Sequence, residues 1–98
     1  MVVVVTRDVA DRFRGFLASA MLEIAPGVYT APRMSKGVRE RVWAVLADWY
    51  GQLGGGAILM TWRDPHETCG QGIRTRGLPS RTFVELDGGL ITTVTRKA

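Results

Sequence analysis

The stretch Val2–Val5 consists of consecutive β-branched residues with no polar residue among them. Such a run favours a strand, and the lack of polar alternation predicts a strand in the middle of a sheet, buried on both faces. Thr6, Arg7 and Asp8 follow at once, so a guanidinium and a carboxylate leave the strand where the next element begins. Functional side chains often lie at such positions, and we expect chemistry or anion binding to start here.

The size and charge of the chain limit what it can do. Its 98 residues, 46% of them hydrophobic, predict a single domain (residues 1–98) with one core. A protomer this small has little concave surface, so we expect a site shared between two copies. The net charge of +4 comes almost entirely from arginine, which favours a partner that presents phosphates or carboxylates. Composition alone leaves open a soluble surface that is merely basic.

Cysteine usage and the first residues bear on the compartment. Cys69 is the single cysteine of the sequence, so an intramolecular disulfide is impossible and a reducing cytoplasm is favoured. Met1 leads directly into the first strand, and the apolar run that follows is too short to span a membrane. We therefore expect a cytoplasmic protein that does not associate with membranes.

A first helix is predicted from Val9 to Ile24, because apolar residues recur there at spacings of three and four. Asp8 is placed to cap this helix, and Asp11 lies near the positive end of the helix dipole. Pro26-Gly27 should end the helix, and residues 27–31 then predict a short strand.

A second helix is predicted to begin at Ser35, which serves as its cap, and to close at Gly51 and the run Gly54-Gly55-Gly56. Its apolar stripe comprises Val38, Val42, Val45, Leu46, Trp49, Tyr50 and Leu53, and its outer face carries Lys36, Arg39, Glu40 and Arg41.

The remaining residues predict strands. Residues 57–62 form a second nearly continuous apolar run, typical of a central strand, and residues 71–76 predict a further one. Residues 82–86 and 90–95 predict a hairpin around a turn at 87–89. Two helices on one face of such a sheet indicate an α+β sandwich of the split βαβ type, with the C-terminal hairpin free to cover a sheet edge in the same chain or a partner.

Asp8, at the end of a predicted central strand, is the one carboxylate placed like an active-site residue. A two-fold axis nearby would bring two copies of it together, and paired carboxylates bind a divalent metal that activates water against a phosphodiester. Helix capping alone also accounts for Asp8, so both interpretations stay open.

Arginines dominate the polar surface of the predicted helices. Arg12 and Arg14 lie about 200° apart on the first helix, and both avoid its apolar stripe. Further cations follow at Lys36, Arg39, Arg41, Arg74, Arg76 and Arg81. Such residues bind a duplex backbone without reading its sequence, although a solvated basic face is an equal alternative.

The segment His66-Glu67-Thr68-Cys69 superficially suggests zinc. A structural zinc site takes four ligands from paired cysteines and histidines, whereas this sequence has one of each. Zinc binding and a Cys-His or Ser-His-Asp nucleophile are therefore not expected.

Several patches of the sequence occur together in an order and spacing typical of one family. They are Val2–Val9, Arg12–Gly15, Met21–Ile24 leading to Gly27–Tyr29, Val38–Glu40 with Trp43, and Gly77-Leu78 through Arg81-Thr82 to Leu86–Gly88. Over nearly the whole chain they resemble the Cas-two family, the second CRISPR-associated adaptation protein, in the form found beside Cascade-type (type I-E) systems.

The resemblance implies a ferredoxin-like βαββαβ homodimer with extra C-terminal strands. Such a dimer bridges two dimers of the integrase Cas-one and holds a protospacer duplex of DNA. Arg12 and Arg14 match the family's backbone-clamping arginines, and Arg81 matches a further DNA contact, whereas Ser80 stands where the subfamily can carry a second arginine. The segment 82–95 would exchange between protomers and offer an edge to the integrase.

Many members of the wider family are described as metal-dependent nucleases that use an aspartate at the end of the first strand. Without a gap, that position is Arg7 here, and Asp8 comes one residue later, on the opposite face of a strand. We therefore expect a DNA-binding adaptor that requires no cofactor. The alternative is a magnesium- or manganese-dependent endonuclease of DNA or RNA in which Asp8 from both protomers holds the metal and is catalytic.

Overall fold

The computed structural model describes residues 1–78 with their side chains, and the backbone of two later strands, 81–86 and 89–94. The elements in chain order are β1 (Val2–Arg7), α1 (Asp11–Ala20), β2 (Leu22–Ala25), β3 (Val28–Ala31), α2 (Lys36–Leu53), β4 (Ala57–Arg63), a 3-10 turn (Thr68–Gly70), β5 (Gln71–Arg76), β6 (Arg81–Leu86) and β7 (Gly89–Val94).

The first five strands form one sheet in the order β2-β3-β1-β4-β5, and each neighbouring pair is antiparallel. Because β1 and β2 both run opposite to β3 and are joined through α1, they form a split βαβ unit. The predicted α+β class is confirmed, and the arrangement is compatible with a ferredoxin-like fold. Strands β6 and β7 pair antiparallel, as the predicted hairpin requires, while its turn at 87–88 and Thr95 lie outside the described residues.

Strand β1 lies in the middle of the sheet, as its β-branched run predicts, but it is not buried on both faces. Val2 and Val4 are buried, whereas Val3 is half-buried and Val5 is 39% exposed. Alternate strand residues point to opposite faces, and the core packs against only one of them. That core comprises Val2, Val4, Phe13, Leu17, Met21, Tyr29, Val42, Trp43, Leu46, Ile58, Met60 and Trp62.

The first helix is shorter than predicted, because residues 22–25 form strand β2. The Met21 N–H donates to the Leu17 carbonyl at 2.8 Å and closes the helix. Leu22 and Glu23 then pair with β3, and Leu22 and Ile24 are 67% and 60% exposed. The sequence Leu-Glu-Ile fits both a helical stripe and a strand's alternation, and pairing with β3 selects the strand.

Asp8 does not cap α1, so the capping prediction is wrong. Ala10 is the N-cap residue, and it makes no side-chain hydrogen bond. Asp8 lies two residues earlier with φ 54°, a left-handed conformation that Asp tolerates better than most residues. The chain turns at Asp8 before the helix begins, and Asp11 occupies the first helical turn as predicted.

The second helix begins as predicted, since the Val38 N–H donates to Ser35 Oγ at 3.2 Å. It ends at Gly54, whose φ of 63° is left-handed. Its buried face is rotated relative to the predicted stripe: Arg39 and Trp43 are buried, whereas Val38 and Leu53 are exposed.

Arg39 was predicted on the outer face of α2, and the structure corrects this, because the residue is only 8% exposed. Its guanidinium carbon lies 4.1 Å from the centre of a Trp62 ring, and that of Arg74 lies 5.2 Å from it. The flat faces of a guanidinium stack on an aromatic ring, which allows arginine to pack inside a layer. Trp62 on β4 therefore holds Arg39 of the helix and Arg74 of β5 together.

Glu40 binds both of these arginines, and we call Arg39, Glu40, Trp62 and Arg74 the Trp62 cluster. Its carboxylate accepts hydrogen bonds from both Arg74 Nη atoms, the one from Nη2 at 2.9 Å, and from Arg39 Nη2 at 3.2 Å. The bonds from Arg74 are the main reason that the pKa of Glu40 lies below its ordinary value of 4.5. The ion pair between Glu40 and Arg74 thus links α2 to strand β5 at the edge of the sheet.

The end of β1 lies directly against Gly56, which predicts a selective effect of adding a methyl group. At Gly56 (φ +68°) an added Cβ would collide with the carbonyl oxygens of Arg7 and Asp8, whereas at Gly55 (φ +76°) it would meet nothing within 4 Å. We expect Gly55→Ala to lower the free energy of unfolding by about 1 kcal/mol through backbone strain, and Gly56→Ala by roughly 3 kcal/mol. Urea denaturation of both variants measures this, and equal losses would contradict the contact.

A second prediction concerns Glu40→Gln, which keeps the shape of the side chain and removes its charge. The partners Arg74 and Glu40 are 35% and 37% exposed, so solvent screens the pair, and we expect a loss of about 1 kcal/mol at pH 7. Because the folded-state pKa is lowered, the stabilisation is present above about pH 4.5 and is lost as pH falls through the folded value.

Denaturant unfolding of both proteins between pH 7 and pH 3 provides the measurement. The difference between wild type and Glu40→Gln should shrink in acid. Asp48→Asn on the same helix is the matched control, since Asp48 accepts a hydrogen bond from Gln52 at 3.1 Å and meets no cation within 4.0 Å in the described part of the chain. A gap of constant size across this pH range would show that the charge of Glu40 is not what stabilises the fold.

Candidate nucleic-acid interface

The end of β1, the turn at Pro26-Gly27 and the glycines after α2 meet at one end of the sheet. The Thr6 N–H and hydroxyl both donate to the Gly27 carbonyl, at 2.7 and 3.1 Å. Glu23 Oε2 accepts from the Gly27 N–H at 3.1 Å, which lowers the pKa of Glu23. These bonds fix the backbone at the strand end where function was predicted.

A shallow cleft of about 370 Å³ opens at this end. It is lined by Thr6, Asp8, Val9, Arg14, Pro26 and Gly27. The structure therefore places the Asp8 carboxylate and the Arg14 guanidinium at the same cleft. Asp8 is exposed there.

Arg14 projects from the second turn of α1 and remains available to a ligand. Its Nη1 lies 4.0 Å from Asp11 Oδ1, and both side chains are largely exposed, so this pair contributes little. Beneath it, burial raises the pKa of Tyr29, and the positive charge of Arg14 opposes that rise.

Arg12 is held differently. Its guanidinium carbon lies 4.4 Å from the centre of the Trp49 ring on α2, while the residue as a whole is exposed. No carboxylate approaches it within 4.0 Å in the described part of the chain. Arg12 is therefore a stacked cation whose charge is not neutralised by a close partner.

Three further residues were predicted to contact nucleic acid: Lys36, Arg39 and Arg81. Lys36 is exposed at the first residue of α2, and Trp49 lies about 20 Å further along the helix axis. Arg39 is buried in the Trp62 cluster. Arg81 begins β6, and its side chain lies outside the described residues.

Two features of the interface were missed from the sequence. Trp49 was assigned to the apolar stripe of its helix, although it also forms the surface on which Arg12 stacks. Strand β1 was predicted to be buried on both faces, yet Val5 is exposed on the face of the sheet that the helices do not cover (the open face), as is Leu22 of β2. The sequence signal for the contact between Trp49 and Arg12 was the position of this tryptophan at the margin of an amphipathic helix.

Clefts on the open face follow the central strands. One of about 280 Å³ is lined by Val5, Thr6, Arg7, Ala57, Ile58, Leu59 and Leu78. Exposed apolar side chains along a sheet are typical of a protein-binding surface. The molecule thus has a basic helical side and an apolar sheet side.

The described residues contain no group of three or more His, Cys, Asp or Glu side chains placed to hold a metal ion. Neither helix in this part of the chain has the length and hydropathy needed to cross a bilayer.

Comparison with protein families agrees with the resemblance seen in the sequence. A family model described as "CRISPR-associated protein (Cas_Cas2CT1978)" matches residues 1–91. The match includes β1, both helices and the whole five-stranded sheet, and thus the cleft and the arginines of α1. The chain therefore belongs to the Cas-two (Cas2-like) family of CRISPR-associated proteins.

Proposed function

We propose that this protein is a DNA-binding adaptor of CRISPR spacer acquisition in a type I-E system. It acts as a homodimer that bridges dimers of the integrase Cas-one and holds the backbone of the protospacer duplex. The observation that carries the proposal is the placement of Arg12 and Arg14, which are exposed at the start of α1, with Arg12 free of any close carboxylate in the described structure.

The expected contact is with phosphates and not with base edges. A guanidinium offers two N–H groups to a phosphate whatever the adjoining base, and phosphate contacts position a duplex without reading it. Arg12 and Arg14 project from the two flanks of a ten-residue helix that packs on the sheet through Phe13 and Leu17, Arg12 beside α2 and Arg14 at the cleft. A surface of this kind supports holding and measuring a duplex.

Dimerisation is supported by the open face of the sheet. Val5 and Leu22, which lie on that face, are 39% and 67% exposed, and burying them against a second copy removes that surface from water. Two copies would then carry two sets of α1 arginines, which we propose to line one surface for the duplex. We further propose that the segment 82–95 exchanges between protomers, and that Arg81 adds a DNA contact.

The duplex contact predicts how the double variant Arg12→Ala/Arg14→Ala behaves. We expect affinity for DNA, in the assembly with the integrase, to fall at least about tenfold at 0.1 M salt and by similar factors for unrelated sequences. The slope of log K against log salt should decrease by about 0.9 for each phosphate that the variant no longer neutralises. Fluorescence anisotropy with two duplexes over a range of salt measures both.

The matched control is Arg33→Ala/Arg63→Ala, which removes the same charge from two exposed arginines at the opposite end of the sheet. It should weaken binding much less. Equal losses from the two double variants would reduce the interaction to net charge, and unchanged binding by Arg12→Ala/Arg14→Ala would refute the adaptor proposal.

The dimer predicts that a charge on the open face separates the protomers. Val5→Glu places a carboxylate among apolar side chains on that face, and we expect a monomer in sedimentation velocity with a retained circular dichroism spectrum. Ala44→Glu on the exposed side of α2 is the control and should remain dimeric. A dimeric Val5→Glu protein would place the interface elsewhere.

A metal-dependent endonuclease is the second candidate, and the exposure of Asp8 in the cleft favours considering it. We expect Asp8→Asn to leave duplex binding in place and to leave the products unchanged when DNA or RNA is incubated with magnesium or manganese. Cleavage by the wild type that Asp8→Asn abolishes would establish the enzyme instead, whereas cleavage that survives the substitution would come from a contaminant.

A further inference from the structure

Trp49 lies where the two helices meet, and its ring is fixed from the α1 side by two aromatic side chains. The Phe13 ring is 5.7 Å away at an interplanar angle of 85°, and the Phe16 ring is 5.3 Å away at 70°. Both are edge-to-face contacts, the geometry that aromatic pairs favour. Phe13 is itself fully buried in the core, so the orientation of the Trp49 ring is set by the packing of the helices.

This ring supports Arg12, whose guanidinium carbon lies 4.4 Å from its centre. A guanidinium stacked on an indole keeps its N–H groups free at its rim, since the ring occupies only one flat face. An unsupported arginine loses much of its rotamer freedom when it is ordered by a ligand. Stacking on a fixed ring supplies part of that order before a ligand binds.

The other stacked arginines of the described structure are engaged by further partners. Arg39 and Arg74, which share Trp62, both donate to Glu40. Arg76 stacks on Trp43 and donates to the Thr75 carbonyl at 2.8 Å. Arg12 alone among these four stacked residues has neither a hydrogen bond nor an ion pair within the described part of the chain.

We propose that Trp49 is a positioning residue for phosphate recognition: it holds the Arg12 guanidinium ready to bind a phosphodiester of the duplex backbone. The inference rests on the proposed function and adds a residue from α2 to a contact assigned to α1. Trp49 itself does not touch the ligand. Its effect passes through Arg12, so it should disappear when Arg12 is removed.

A double-mutant cycle on duplex binding in the integrase assembly tests the proposal, with Arg12→Ala and Trp49→Leu alone and combined. We expect Arg12→Ala to weaken binding about tenfold in the wild type and no more than about threefold in the Trp49→Leu background. Trp49→Phe, which keeps an aromatic face, should retain most of the affinity that Trp49→Leu loses. Equal factors for Arg12→Ala in both backgrounds would overturn the proposal, because a purely structural role of Trp49 predicts that result.

A second experiment changes only the arginines of α1 and leaves Trp49 and the aromatic residues around it intact. Arg12→Lys and Arg14→Lys each keep the positive charge, but lysine lacks the flat group that stacks on the ring. We expect Arg12→Lys to lose several-fold more affinity than Arg14→Lys, and equal losses would overturn the role of Trp49 while leaving the adaptor function intact. If Arg12→Ala does not weaken binding in any background, this inference is wrong, and the proposed function is wrong as well only if the double variant Arg12→Ala/Arg14→Ala also binds unchanged.

Discussion

The pairing of β1 between β3 and β4 is the constraint on which the rest of the molecule depends. Its inward residues Val2 and Val4 are 3% and 0% exposed, and they face the core on which the helices pack. The same pairing ends at Arg7, opposite Ala57, and so brings the turn at Pro26-Gly27 and the backbone of Gly56 against the strand end. The cleft that holds Asp8 and Arg14 exists because these chain segments converge there.

A sheet whose core lies on one face has two different sides. The helical side carries the arginines of α1, which we propose to contact DNA, and the open side carries exposed valine and leucine side chains, which we propose to meet a second copy. The two surfaces do not compete for residues, since α1 and the open face are separated by the thickness of the sheet. On the proposed function, one small domain would therefore associate with itself and with a polyanion at the same time.

Fewer arginines are available to a ligand in this chain than its arginine content suggests. Each of the tryptophans at 43, 49 and 62 carries at least one stacked guanidinium, and Arg39 and Arg74 are in addition bound to Glu40. Such arginines stabilise the packing of α2 on the sheet. Arg12, over Trp49, has no close carboxylate in the described part of the chain, whereas the two guanidinium groups over Trp62 both donate to Glu40.

Local patterns in the sequence were enough to predict β1, α2, β4 and β5, the cap at Ser35 and the α+β class, because strand and helix periods are properties of neighbouring residues. Packing decided the rest. Leu22-Glu23-Ile24 satisfies both periods, and only the pairing with β3 makes it a strand. Arg39 became buried, and Arg12 met Trp49, through contacts between residues distant in the chain, which no local period encodes. The arginines that face solvent could therefore be identified only once the helices were placed against the sheet.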